Sequence, residues 1–496
     1  MNRRCCRFAG RGLLWLALVA AGAPRVAVAA TPAASPNLVI VHTDEHSYRT
    51  LGCYRRLLPE DQACVWGPGV TVSTPNIDWL AAHGAIATRF FATSPVCTPS
   101  RASFVTGLYP QSTGAVRNDL PMRDEMVTFA EVLRRRGYAT GYAGKWHLDG
   151  PARPGWAPRR DFGFSDHRYM FNRGHWKQLE DTDAGPRVKA RNARGQPTYD
   201  LEGADETSFT TDFLTDRAIA FVREHRDRPF CYMLSLPDPH GPNTVRPPYD
   251  TMFAGLPFQQ PVSAKQSGKE LPGYAAVRSD RFNARQMALY FGMVKCIDDN
   301  VGRLLAALRE ADLLERTVVV FTSDHGDLCG EHGRHNKGVP LDTSAAIPFV
   351  LYAPGLVPAG TRVGTALGTV DFKPTILGLL GVPDAGRTEG RDASGLFRGR
   401  PAAAGWKDLA FVRIGDEGQG ANRWIGAFTS RYKLVVSPTD APGFFDLQED
   451  PFELENRLGD PRYAATVREL KAELADYCRT FAEPLYAEAA CRAALE

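Results

Sequence analysis

Residues 36–46, PNLVIVHTDEH, hold a short apolar run that stops abruptly at two carboxylates. Leu38 to Val41 is too short for a helix and is bounded by Pro36, so it reads as a buried strand with Asp44 at its carboxyl end. The design recurs. TVVVFTS (317–323) leads into Asp324, ATGYAG (139–144) into Lys145 and His147, and PFCYMLSLPDP (229–239) into His240. Between these runs the apolar spacing is helical: Thr128 to Arg136 closed by Gly137, Thr211 to Glu224, and a long stretch from Ala284 to Leu314.

Strands alternating with helices predict an α/β sandwich around a largely parallel central sheet. In such sheets ligands sit beyond the carboxyl ends of the strands, so Asp44, Lys145, His240 and Asp324 are expected to meet in one pocket. After about residue 400 the pattern changes. WIGAFTSRYKLVVSP, FFDLQEDPFELENRL and an amphipathic stretch from Ala464 to Phe481 predict a small antiparallel sheet with one helix against it. The expected organisation is a leader over 1–30, a main domain over 31–400 and a small C-terminal domain over 401–496.

The leader is read from Arg3, Arg4, Arg7 and Arg11, which precede the apolar run Leu13 to Ala23, and from the small residues Ala27 and Ala29 at the cleavage positions. This is the pattern of a secretory signal, and no other apolar stretch is long enough to span a bilayer. The protein is expected to be exported, to a periplasm or the exterior; the lack of an Asn-x-Ser/Thr sequon favours a bacterial source. A formal charge of +3 gives no basis for binding nucleic acid. The stretch 151–194 differs, with ten Lys/Arg against five Asp/Glu among several aromatics. It is either a solvated insertion or a rim that attracts an anionic substrate.

Eight cysteines follow the leader: Cys53, Cys64, Cys97, Cys231, Cys296, Cys329, Cys478 and Cys491. In an oxidising compartment Cys53/Cys64 and Cys478/Cys491 are candidate disulfides, while Cys231, Cys296 and Cys329 read as core thiols. Cys97 fits neither group. It precedes an expected helix, Ser100 to Thr106, whose free N–H groups favour an anion. The pairs Asp44-Glu45 and Asp324-His325 offer hard oxygen donors and an imidazole, a set suited to Ca²⁺ or Mg²⁺. His332-x-x-His335 lacks the spacing of a zinc helix, and there is no G-x-S-x-G elbow.

CTPSRASFVTG (97–107) resembles the signature of the type I sulfatases, C-x-P-S-R-x-x-x-x-T-G, with Phe104 in place of the usual leucine. The resemblance continues in order through TPNIDWLAAHG, GYATGYAGKWHL, PDPHGP, FTSDHGDLCGEHGRHNKG and FDLQEDPFELEN. It implies an alkaline-phosphatase-like fold and a formylglycine made from Cys97 by a formylglycine-generating or anaerobic maturation enzyme. It also implies a Ca²⁺ held by Asp44, Glu45, residue 97, Asp324 and His325. Arg101 would hold the modified residue, and Lys145, His147, His240 and Lys337 would grip the sulfate and serve proton transfer, with Asp324 as a catalytic carboxylate.

An aldehyde is useful because its hydrate carries two hydroxyls. One attacks sulfur, and loss of a proton from the other then expels sulfate, an exit that a serine ester lacks. The implied activity is hydrolysis of a sulfate monoester on a small molecule or, given the basic aromatic insertion, a glycan. Two other readings remain at this point: a phosphate or phosphonate monoester hydrolase of the same superfamily, and a sulfated-glycan-binding protein without turnover.

Overall fold

The computed structural model describes residues 35–496 except 267, 279–281, 385 and 416–422; the expected leader lies outside the described residues. An eight-stranded sheet runs in the order Thr361–Val363, Ala85–Ala87, Phe349–Tyr352, Thr317–Ser323, Asn37–Asp44, Phe230–Pro239, Ala139–Lys145, Asp166–Phe171. The last five of these are mutually parallel, while Phe349–Tyr352 runs antiparallel to both its neighbours.

Alternate residues of the central strands point to opposite faces, and both faces are covered. Val39, Val41, Val319 and Phe321 pack with Phe213 and Leu214 of the helix Thr210–Glu224 and with Ile297 and Leu304 of Ala284–Glu310. Leu38, Ile40, Val318 and Val320 belong to the opposite layer, with Phe104, Phe129 and Phe372. Those three residues come from the helices Cys97–Thr106, Phe129–Arg135 and Phe372–Leu380. Phe104 stacks on Phe372 at 3.7 Å between ring centroids and lies 4.9 Å from His42. The larger side chain thus fills this layer with ring-on-ring contact.

Most expected elements lie within one or two residues of their predicted bounds. Thr128 caps its helix by accepting from the Glu131 N–H, and Gly137 takes a positive φ just after that helix ends. The helix expected from Ser100 differs: it begins at Cys97 itself, with Val96 extended before it. Pro99 marks no boundary, because the first turn of a helix has no intrahelical partner for the N–H that proline lacks.

Residues Pro36–Glu496 fold as one compact unit. Within it Ala410–Ile414, Trp424–Phe428, Tyr432–Val436 and Gly443–Asp446 form an antiparallel meander, and the helix Ala464–Thr480 lays Leu470, Leu474 and Tyr477 against its Ile425, Leu434 and Phe444. A short final helix, Ala489–Leu495, was not expected.

The expected disulfides are not formed: all eight described cysteines are free thiols. Cys478 and Cys491 both sit in the apolar cluster under the C-terminal helices, where each packs as a small hydrophobe. Cys53 is buried on the turn Gly52–Arg55, with its N–H donated to Asp78, and Cys64 is only half-buried beyond the next helical turn. Nearness in sequence does not aim either pair of side chains at each other.

Candidate active site

The carboxyl ends of four parallel strands and the start of one helix deliver the predicted residues to one place. Asn37–Asp44 ends in Asp44, Thr317–Ser323 is followed by Asp324 and His325, Ala139–Lys145 ends in Lys145, and Phe230–Pro239 is followed by His240. Gly144 makes the third of these possible: it takes φ +108°, and a Cβ there would lie 1.8 Å from the Ser235 carbonyl oxygen of the adjacent strand. Only glycine allows this backbone approach.

Cys97 is buried, with its Sγ 3.2 Å from His325 Nε2 and 3.8 Å from Asp44 Oδ1. Burial raises its thiol pKa, and the Asp44 carboxylate adds to the effect. Arg101, one turn further along the helix, is wholly committed. Its Nε donates to Asp324 Oδ2 at 2.9 Å, Nη2 to Asp44 Oδ2 at 3.2 Å, and Nη1 to the Lys145 carbonyl and Ser235 Oγ at 2.9 and 2.8 Å. Burial works to raise the Asp44 carboxyl, but Lys145 first, then the neighbouring His175 imidazole and Arg101, hold it well below the usual range. Lys145 Nζ donates to Asp44 Oδ2.

Asp44, Cys97, Asp324 and His325 bring their ligand atoms within 4.8 Å of one another, all fully buried, a group able to hold a metal ion. Glu45 stands apart from this group. It has φ +63°, and its Oε2 lies 2.9 Å from His240 Nε2 and 3.1 Å from Lys337 Nζ. Its Oε1 is buried without a hydrogen-bond partner. Burial works to lower His240, but Glu45 raises it above its ordinary pKa; Lys337 is raised against the same opposition, chiefly by Glu45. Lys337 Nζ is 2.8 Å from His240 Nε2.

His147 lies on a turn with φ +63°, its Nε2 3.1 Å from Asp119 Oδ1 and its Nδ1 buried without a partner. Burial, then the positive charges of Lys145 and Arg101, lower its pKa. Thr98 Oγ1 donates to the His147 carbonyl at 2.9 Å, which ties this turn to the start of the helix Cys97–Thr106. The structure therefore gathers the predicted residues into two sets: a carboxylate and imidazole cluster around Cys97, and a Glu45, His240 and Lys337 group.

Sequence reasoning missed two members of this neighbourhood. Asp119 orients His147, and His175 comes from the basic insertion to within 2.8 Å of Lys145 Nζ. The insertion does more than decorate the surface: Asp166–Phe171 adds a strand to the main sheet, and Leu179–Thr182 pairs with Gly185–Val188 in a hairpin.

Comparison with known proteins agrees with this geometry. The sequence pattern of the Sulfatase family matches residues 36–382, and that of the N-sulphoglucosamine sulphohydrolase C-terminal region matches 330–480. The chain is 29% identical over 454 residues to the ulvan-active sulfatase of Formosa agariphila, covering 88% of this chain and 80% of that protein. It is 24% identical to the N-acetylglucosamine-6-O-sulfatase of Bacteroides thetaiotaomicron, covering 88% and 85%. A structure solved with its substrate D-glucosamine-2-N,6-O-disulfate superposes with a TM-score of 0.73 at 22% identity, covering 90% of this chain and 98% of that one, and shares the fold. With its strand-end site and a family pattern spanning most of its length, the chain belongs to the sulfatase family, the sulfuric ester hydrolases.

Proposed function

We propose that this sulfatase hydrolyses sulfate monoesters on a sulfated glycan, using a formylglycine formed from Cys97 and a Ca²⁺ in the cluster beside it. The observation that carries this reading is the placement of Cys97, first residue of a buried helix, against Asp44, Asp324 and His325, with Lys145 and Arg101 packed behind. Two relatives point the same way on substrate class, one named for ulvan and one for a sulfated amino sugar.

The donor set fits the cation. Two buried carboxylates supply hard oxygens, and the adjacent residue in sequence, Glu45, has a buried, unpartnered Oε1. Asp44, Asp324, His325 and residue 97 would hold the ion, which would neutralise sulfate charge and acidify a bound hydroxyl. The hydrated aldehyde at residue 97 would supply the attacking oxygen.

The chain's own residues account for the rest. Arg101 fixes both cluster carboxylates and cannot deprotonate, so it keeps the pocket's geometry while protons move nearby. Lys145, bonded to Asp44, and Lys337, beside Glu45, present fixed positive charge to sulfate oxygens, the kind of preorganisation that lowers barriers most. His147 is neutral at its lowered pKa, and its unpartnered Nδ1 is an acceptor for a hydroxyl proton on residue 97. His240, raised above its ordinary pKa by Glu45, and Lys337 beside it are the pair that would assist the leaving oxygen. The maturation enzyme would act before or during export, and export follows from the leader.

The test is a desulfation screen over sulfated mono- and oligosaccharides, run with and without a chelator and beside the matching phosphate esters. Sulfate release from at least one sugar, lost with the chelator and restored by Ca²⁺, is the expected result. Turnover of phosphate esters far above sulfate esters, or tight sulfated-glycan binding with no hydrolysis, would contradict it.

A further inference from the structure

The Lys145 ammonium has three N–H donors and no acceptor. Asp44 Oδ2 takes one of them. His175 Nε2, at 2.8 Å, stands where a second is directed, and since a lysine ammonium can only donate, that nitrogen accepts. With two donors pinned, the direction of the third is set by tetrahedral geometry. The same imidazole does a second thing: it lies flat on His240, with ring centroids 3.5 Å apart and planes 7° apart. One side chain thus touches both Lys145, which bonds Asp44 of the Cys97 cluster, and His240, which lies beside Glu45.

Both chain segments that carry this stack are clamped. Two residues after His175, Lys177 Nζ donates to Asp238 Oδ1 at 2.6 Å; two residues before His240, Asp238 accepts a second bond from Thr211 Oγ1 at 2.7 Å. Lys177 and Asp238 are both fully buried, and the Lys177 carbonyl accepts the Thr210 N–H at 3.1 Å. Breaking a paired buried charge leaves its partner uncompensated, so this tie holds the two histidines in register. His175 itself keeps 18% of its side chain exposed.

We propose that His175 is a positioning residue of the sulfate pocket: as an acceptor for Lys145 it aims the remaining ammonium N–H at a sulfate oxygen, and as a stacked ring it fixes the plane of His240. The inference rests on the reading that Lys145 grips sulfate.

The test compares His175→Phe, which keeps a ring on His240 but removes the acceptor, with His175→Gln, which keeps an acceptor but loses the ring. Lys145→Ala is carried alongside. Inorganic sulfate is titrated calorimetrically into each full-length mature protein, and KM and kcat are measured on the sulfated sugar that the wild type turns over. Thermal midpoints serve as the control for folding. H175F is expected to weaken sulfate binding and raise KM by about tenfold or more, the scale of one hydrogen bond to a charged group. H175Q should recover sulfate binding to within a few-fold while its kcat falls, because His240 is no longer held flat. Wild-type values in both variants, beside a crippled K145A, would overturn the role of His175 and leave the role of Lys145 standing. Equal losses in H175F and H175Q sulfate binding would overturn the acceptor assignment. Wild-type sulfate binding in K145A would remove both.

Discussion

Arg101 is the residue on which most of the pocket converges, since its guanidinium bonds Asp324, Asp44, the Lys145 carbonyl and Ser235 at once. Planarity and five donors make arginine suited to this, and lysine cannot reproduce it. Arg101→Ala leaves two buried carboxylates facing each other, and it is expected to destabilise the fold by about 3–5 kcal/mol, measured by urea unfolding. A loss under 1 kcal/mol would show that the network is dispensable. Arg101 was legible in the sequence because it stands in a motif, four positions after Cys97 and so one helical turn from it. His175 was not. It lies in a basic insertion with no motif, and it reaches Lys145 only because Asp166–Phe171 pairs in parallel with Ala139–Lys145, setting Phe171 opposite Lys145. That register is a property of the folded sheet. Asp119 escaped notice for the same reason: its partner His147 is 28 positions away and on another element.

At the scale of elements, what the sequence showed best were the central strands. Each is a short apolar run that ends at a charged or polar residue, and a strand buried on both faces needs just that pattern. The start of the helix Cys97–Thr106 was less readable, because a proline in a first turn and a proline ending a loop look alike without the backbone. The turn into Lys145 gives a direct test of the strand-end geometry. Gly144→Ala would place a Cβ at 1.8 Å from the Ser235 oxygen and force φ +108° on a residue that avoids it. The variant should lose activity and at least about 2 kcal/mol of stability, with Lys145 displaced. Unchanged activity and unfolding midpoint would show that the two strands can separate there without cost. The free state of Cys478 and Cys491 belongs at this scale as well, since the helices that carry them bury both thiols in a shared apolar layer and need no covalent tie.

At the scale of the whole molecule, buried histidines set how stability depends on pH. His332, seven positions after His325 and bonded through Nε2 to the Phe452 carbonyl at 2.7 Å, is lowered to about 4 by burial. The unfolded chain takes up a proton on this group below about pH 6.5, while the folded chain waits until about 4. Its contribution to stability is therefore complete above pH 6.5 and is lost as the pH falls toward 4, with a slope of up to about 1.4 kcal/mol per pH unit. Chemical unfolding of the wild type between pH 7 and 4 should show this decline, and His332→Gln should flatten it by that amount; identical slopes in the two proteins would contradict the assignment. The pH limit on stability is thus set partly by the loop between His325 and Lys337, where His332 bonds the Phe452 carbonyl.

The central claim is that residue 97 acts as an aldehyde, and its most direct test is mass spectrometry of the tryptic peptide Phe90–Arg101 from catalytically active protein. The account predicts formylglycine at residue 97, recognisable by its mass and by reaction with a hydrazine, in proportion to specific activity. An unmodified cysteine at that position in fully active protein would contradict it.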